Sequence, residues 1–379
     1  MARPVNVRRP ATLASLAAEL GVSRTTVSNA YNRPDQLSPE LRRRVLETAR
    51  RLGYPGPDPM ARSLRTRQAG AVGLLLTEAL AYAFRDPAAL RFLEGLALAC
   101  EEAGRGLLLV PAMSPDVLRP TGSMPMTSVP MSSVQSAAVD GFIVYSVPDD
   151  DPHLAAVLQR PVPTVVCDQP MVAGVDRVGI DDRAAMLAIT RHVLGLGHRR
   201  IGVLCMRLGR ERHAGPVSVA RLRETYSHVQ RARLSGLRAA LSEAGVDVSE
   251  VWIVECPEHS RAAGQTGAAD LLDRDPQPTA IVCTSDVLAL GAVAEAGRRG
   301  LEVPGGLTVT GFDGVPDAEL AGLTTIRQPM LEKGRMAGRL LFDSGDGTGP
   351  RTVLLDTELV VGRTCAPPRG SKVEWFSGL

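Results

Sequence analysis

Apolar residues recur at helical spacing twice near the start of the chain. Leu13, Leu16, Ala17 and Leu20 share one helical face that Gly21 ends, and Leu41, Val45, Leu46, Ala49 and Leu52 share another that Gly53 ends. Between them, "SRTTVSNAYN" keeps only Val27 and Ala30 on an inner face. Thr12, Ser23 and Ser38 stand where N-caps are needed, and Pro39 follows the last of them. Three short helices with a tight Gly-Val turn between the first two predict a helix-turn-helix unit.

From Gly70 onward the pattern changes. Short continuous apolar runs ("AVGLLLT", "GLLLVPA", "VDGFIVYSV", "PTVVCD", "RIGVLCM", "TAIVCTSD", "LTVTGFD") alternate with amphipathic stretches such as "DPAALRFLEGLALACEEAG" and "VLALGAVAEAGRRG". Buried strands separated by helices predict a doubly wound α/β fold with parallel sheets covered on both faces. Ligands of such folds sit beyond the carboxyl ends of strands. Tyr145, Asp168, Ser285, Asp286 and Asp313 all follow apolar runs in this way. Phe84 and Asp86, just past the first strand, fall where a cleft mouth belongs. "SPDVLRPTGSMPMTSVPMSSVQSAA" reads as a loop that turns helical near its end. "GRERHAGPVSVARLRETYSHVQ" reads as a lid or a solvated surface loop.

Charge changes the picture at one end. Residues 1–70 carry 13 arginines against five acids, in a chain of 379 residues whose net charge is +2. The remainder is therefore acidic, and the asymmetry assigns a polyanion to the first segment alone. On the second helix, Arg24, Thr25, Thr26, Ser28 and Asn29 face outward. Arginine and asparagine can pair with guanine and adenine edges, and small hydroxyl residues let a helix enter a major groove about 12 Å wide. The six cysteines are scattered without a C-x-x-C pair, and the six histidines lack metal-ligand spacing. No P-loop, G-x-G-x-x-G or Ser-His-Asp order stands out, so the sequence points to neither catalysis, a cofactor nor a metal. Only Lys333 and Lys372 are lysines among 43 basic residues, which reads as genomic composition bias.

In "TLASLAAELGVSRTTVSNAYN", in "LSPELRRRVLETARRLGY", and in "ARSLR" followed by "GAVGLLL", the chain resembles the LacI/GalR family of bacterial transcriptional repressors. The resemblance runs across essentially the whole chain. It implies a headpiece at residues 1–57, a hinge helix or linker at 58–69, an effector-binding and dimerisation body at 70–365, and a tail at 366–379. The body resembles the periplasmic sugar-binding-protein fold. Its N-lobe is expected at about 70–180 and 330–354, and its C-lobe at about 181–329 and 355–365.

The same resemblance implies roles for single residues. Arg24, Thr25 and Asn29 would read bases, while Thr12, Ser23, Thr26 and Ser28 hold phosphates. In the hinge, Leu64 would wedge into the minor groove beside Ala61, with Arg62 and Arg65 toward phosphates. Tyr145, Asp168, Arg233, Ser285 and Asp313 would line the effector cleft. The pair Arg233–Asp313 reads either as a ligand clamp or as a buried structural salt bridge. Asp286 reads either as a ligand contact or as the cap of the helix that follows it. The family's sugar-stacking tryptophan is missing after "WIVECPEHS", and His198 in "GLGHRRIGVL" falls at a structural turn.

A homodimeric repressor on a near-palindromic DNA operator, controlled by a sugar or sugar derivative, is the reading that results. A nucleoside- or purine-responsive regulator is the alternative. A transport-type binding protein would share the body but leave the basic head without purpose. The start of the chain lacks an apolar stretch behind its arginines, and no long apolar run occurs, so a cytoplasmic, nucleoid-associated protein without a membrane partner is expected.

Overall fold

The computed structural model describes residues 11–57, 66, 68–76, 83–111, 132–209, 211–343 and 349–370. The hinge residues Ala61, Arg62, Leu64 and Arg65, like the stretch 112–131, lie outside the described residues. The chain divides into two compact units between Gly70 and Ala71.

The first unit holds α1 (Leu13–Leu20), α2 (Arg24–Asn32), a 3-10 turn (Pro34–Gln36) and α3 (Pro39–Leu52). Each helix starts where a side chain takes up an orphan amide. Thr12 and Ser15 cap each other reciprocally, Ser23 accepts from the Thr26 amide, and Ser38 accepts from the Leu41 amide. Gly21 and Gly53 end α1 and α3 at φ 64° and 69°, a conformation that a side chain resists. The core beneath is small: Leu16, Ala17, Val27, Ala30, Val45 and Ala49, rimmed by Tyr31 and Tyr54 edge to face at 6.1 Å.

The second unit begins with β1 (Ala71–Leu76), α4 (Pro87–Glu102), β2 (Gly106–Pro111) and α5 (Ser132–Ser136). It continues with β3 (Gly141–Tyr145), α6 (Pro152–Leu158), β4 (Thr164–Cys167) and β5 (Asp176–Gly179). A second run follows: α7 (Asp182–Gly195), β6 (Ile201–Cys205), β7 (Gly215–Pro216), α8 (Val219–Arg223), α9 (His228–Glu243) and β8 (Trp252–Glu255). After it come α10 (Arg261–Leu272), β9 (Ala280–Cys283), α11 (Asp286–Arg298), β10 (Thr308–Thr310) and α12 (Pro316–Ala321). The last elements are β11 (Thr325–Arg327), α13 (Met330–Phe342), β12 (Thr352–Leu354) and β13 (Glu358–Val360).

Two main sheets result. One has the order β12-β5-β4-β3-β1-β2 and is parallel throughout. The other has the order β10-β9-β6-β8-β7, with only β7 antiparallel. Because α13 packs against the first sheet although it follows β11, the chain changes lobes after β5, between β11 and α13, and after β12. Hence residues far apart in sequence meet at the hinge. The small antiparallel pair β11–β13 lies there as well, unannounced by the apolar pattern.

Helices α4 and α13 cross with backbones almost touching. A Cβ on Gly95 would lie 1.8 Å from the Leu331 carbonyl oxygen, and one on Gly334 would lie 2.1 Å from that of Phe92. Only glycine permits this approach, and it brings α13 over β3, β4 and β5. The structure also extends the C-lobe past residue 365. Ala366 hydrogen-bonds His198 at 2.8 Å and exchanges two bonds with Thr308, so the tail is pinned at its start. His198 is buried and structural: burial chiefly lowers its pKa, and its other ring nitrogen meets Thr279.

Candidate functional site

In the first unit, α2 presents Arg24 and Thr25 as exposed side chains at its N-terminal end. Ser23 and Thr26 join their hydroxyls at 2.8 Å, so the cap also orients Thr26. Two sequence candidates are less outward than expected. Ser28 is half-buried and accepts from Asn32 at 3.1 Å, while Asn29 is half-buried and donates to Gln36 at 3.0 Å. The 3-10 turn folds back over the end of α2 and engages Asn29, a contact that helical spacing within α2 cannot reveal, whereas Ser28 is met by Asn32 one turn on in the same helix. Asn29 keeps its amide oxygen as an acceptor, but its orientation is fixed by Gln36. Exposed Thr12 is spent on its capping box with Ser15.

In the second unit, a cleft of about 780 Å³ lies between the lobes. Three polar residues that end or follow strands supply its floor: Tyr145 ends β3, Asp168 follows β4, and Asp313 follows β10. Asp168 and Asp313 hold positive φ values of 63° and 124°, strain that recurs where backbone is bent to aim a functional side chain. Arg233 enters from α9. Tyr145 stacks on Phe92 at 4.1 Å, which fixes the ring, and its hydroxyl lies among carboxylates. Burial, then Asp86, Asp168 and Asp313, push its pKa well above the ordinary range, so it stays a protonated donor.

Beneath this floor runs a buried network that the sequence reading missed. Lys333 on α13 is wholly buried, and its Nζ donates to Asp168 at 2.7 Å and to Gln328 at 2.9 Å. Gln328 donates in turn to Asp313 at 2.7 Å. Arg233 donates Nε to Asp182 at 2.8 Å and Nη1 to the Thr284 carbonyl at 2.6 Å, and it lies over the Phe312 ring at 3.7 Å. Its Nη1 is 3.7 Å from Asp313. The pair read from sequence is therefore real but secondary, because Asp182 is the closer partner.

Charge in the floor is balanced. Lys333 offsets Asp168 and Arg233 offsets Asp182. Burial raises the Asp313 pKa well above the carboxylate range, with Arg233 opposing and Asp286 and Asp86 reinforcing that shift. A buried site arranged so offers hydroxyl-sized acceptors and donors without a surplus charge.

Other candidates fall differently. Asp86 does line the cleft, and it also caps α4 by accepting from the Ala88 amide at 3.0 Å. Phe84 does not line it: the ring is 55% exposed in the turn before α4, pointing to solvent because Ala83 already fills the core there. Ser285 is fully buried, and its Oγ meets His259 Nε2 at 2.5 Å, so His259 faces the cleft in its place. Asp286 caps nothing in its own helix. It accepts from the Val315 amide at 2.9 Å and the Thr325 hydroxyl at 2.6 Å, tying down the segment that carries Asp313.

His259 Nδ1 lies 3.7 Å from Asp86 across the cleft, completing a Ser285–His259–Asp86 line. Because Ser285 is fully buried behind the imidazole, the line presents His259 rather than the hydroxyl to the cleft. The described residues of the stretch 209–230 are not a free surface loop either. Arg221 grips the buried Glu255 from two nitrogens, and Tyr226 and Ser227 line the cleft. Gln169 reaches across from the other lobe, accepting from Ser227 at 2.9 Å and from the Val229 amide at 3.0 Å. Among the described residues no cluster of His, Cys, Asp and Glu suits a metal, and no helix is long and apolar enough to cross a membrane.

Comparison with known proteins gives the same architecture. A family model described as a periplasmic binding protein-like domain matches residues 190–365. An HTH-type transcriptional regulator of Mycobacterium tuberculosis is 55% identical over 95% of this chain and 98% of its own length. Among solved structures, a LacI family regulator from Corynebacterium glutamicum is 39% identical at a TM-score of 0.69, covering 95% of this chain and all of that one. A complex of the regulator CelR with cellobiose is 27% identical at 0.65, over 93% and 99%. The lac repressor dimer bound to operator is 22% identical at 0.75 over 94% and 100%, a likeness of fold.

Proposed function

The chain belongs to the LacI family of transcriptional regulators, and from that premise we propose that it represses transcription as a homodimer whose operator affinity follows a neutral, polyhydroxylated effector bound between its lobes. The charge-balanced cleft floor carries the effector assignment. Asp168, Asp313 and Asp86 offer acceptors, Tyr145 and Arg233 offer donors, and each is held by a buried partner, an adjacent ring or a cap. Adjacent hydroxyls of a sugar or sugar derivative match such an alternation, and the likeness to the CelR–cellobiose complex supports it. A nucleoside-type ligand would need ring stacking, and one face of Tyr145 is already covered by Phe92.

His259 joins the effector contacts in place of Ser285, and Phe84 drops out of them. On the DNA side, Arg24 and Thr25 read base edges from the exposed end of α2, with Asn29 presented by Gln36. Thr12, Ser23, Thr26 and Ser28 lie along the phosphates. In the hinge, Leu64 wedges into the minor groove beside Ala61, and Arg62 and Arg65 face phosphates. Two copies reading half-sites about one helical turn apart make the operator a near-palindrome. The protein works by binding rather than catalysis, in the compartment that holds the chromosome.

The test is selection of DNA from a random pool with the full chain, followed by anisotropy on the selected site against a panel of sugars and nucleosides. The reading requires a near-palindromic site and a sugar-class ligand that shifts its affinity. A response to nucleosides alone would replace the effector assignment, and a pool without enrichment would remove the regulator reading.

A further inference from the structure

A second cavity, of about 430 Å³, shares no lining residue with the effector cleft. It is lined from both lobes, by Arg177 of β5 and Leu354 of β12 on one side and by Arg183, His228 and Arg231 of α7 and α9 on the other. Its two acids are committed elsewhere. Asp182 pairs with Arg233 at 2.8 Å, and Asp181 caps α7 by accepting from the Ala184 amide at 2.8 Å.

Its arginines are not matched in the same way. Arg231 has a partly exposed partner in Asp149 at 3.1 Å. Arg177 donates Nη2 to the Asp168 carbonyl at 3.2 Å, yet its Nε is buried without a hydrogen bond. Arg183 is exposed and makes no ion pair among the described residues, although its charge also acts on Glu243. Arg177 and Arg183 therefore face this space without an ion pair among the described residues, and because Asp181 keeps its charge while capping α7, the lining is left with a net positive surplus. His228 registers the resulting field. Burial first, then Arg177 and Arg231, hold its imidazole below the ordinary range, against weaker pulls from Asp149 and Asp182.

We propose that this cavity is a second ligand site, taking a small molecule that carries a phosphoryl group. Guanidinium forks match phosphoryl oxygens bidentately, and an anion offsets the positive surplus that the lining keeps. The volume lies in the range of small-molecule sites, and an occupant bridges the lobes. The site is separate from the effector cleft, touching it only through the Asp182–Arg233 bond, so a phosphorylated ligand would act beside the neutral effector rather than in its place.

The test follows the ring signals of His228 by NMR in the full chain, assigned with His228→Gln, while inorganic phosphate, pyrophosphate and glucose 6-phosphate are added. At least one probe should move the signal saturably and raise its titration midpoint, as an anion offsets the arginines. Which probe binds tightest separates a free oxyanion from a phosphorylated metabolite. Arg183→Gln should weaken that binding about tenfold, as loss of a charge-assisted hydrogen bond does. Asp313→Asn, in the cleft, should leave it unchanged. No saturable movement below about 10 mM, which is weaker than metabolite sites, would overturn the proposal. So would binding indifferent to Arg183→Gln, or binding lost with Asp313→Asn.

Discussion

Replacing Lys333 by methionine removes one charge and little volume. In the native protein that charge is wholly buried and held by Asp168 at 2.7 Å and Gln328 at 2.9 Å. Without it, Asp168 is an 8%-exposed carboxylate that has lost its direct ion pair and keeps only the more distant charge of Arg233. Stranding one member of a buried pair costs about 3–5 kcal/mol. Gln328 also loses the donor to its oxygen, worth about 1–3 kcal/mol where a buried acceptor goes unmet. The two overlap, because both report the loss of Nζ, so the larger figure stands for the total. At roughly 2 °C per kcal/mol for a large domain, the effector body should melt about 6–10 °C lower. Thermal unfolding followed by circular dichroism measures this directly. Lys333→Met combined with Asp168→Asn should recover at least half of the loss, since no uncompensated charge remains. A Lys333→Met protein that melts like the native one, or a double variant whose losses simply add, would refute the network.

Gly95→Ala should cost about 1–3 kcal/mol or more in urea unfolding, because its Cβ would meet the Leu331 carbonyl at 1.8 Å and force α4 and α13 apart. Arg24→Ala should remove about 1–3 kcal/mol of preference for operator over random DNA, read by competition binding, with non-specific affinity falling far less. Asp313 has a raised pKa in the fold, so the folded state holds its proton more tightly than the unfolded chain. Its contribution is greatest near and below pH 4 and declines as pH rises toward the folded value. Asp313→Asn should therefore flatten the fall in stability with rising pH, and an unchanged slope would count against the assignment.

The parts of this molecule that sequence made legible are local. Thr12, Ser23, Ser38, Gly21 and Gly53 announce helix ends because a cap is settled within three or four residues. Asp168 and Asp313 are visible because strand ends carry ligands in this architecture. What stayed hidden depends on crossovers. Lys333 looks like a surface residue of an amphipathic helix until α13 is laid over the first sheet, which the glycines at 95 and 334 allow. Its one available signal was chemical: a lysine among arginines, where a compact ammonium rather than a wide fork fits between two acceptors. Ser285 and His259 exchanged places for a similar reason. The extended Ser285 turns inward, and a residue 26 positions away reaches over it. Arg221 looked like part of a solvated loop because its partner, Glu255, is buried at the end of β8, a strand that the apolar runs did not mark out.

Control of the DNA-reading face by the cleft joins the two units of the proposed function. Its most direct test is operator affinity measured with and without the effector, for the native chain and for Asp313→Ala. Coupling of about 1–3 kcal/mol, a change of roughly 5- to 150-fold, is predicted for the native chain. Asp313→Ala should bind the free operator equally well and show no response to the effector. An Asp313→Ala protein that still responds over the native concentration range would contradict the account.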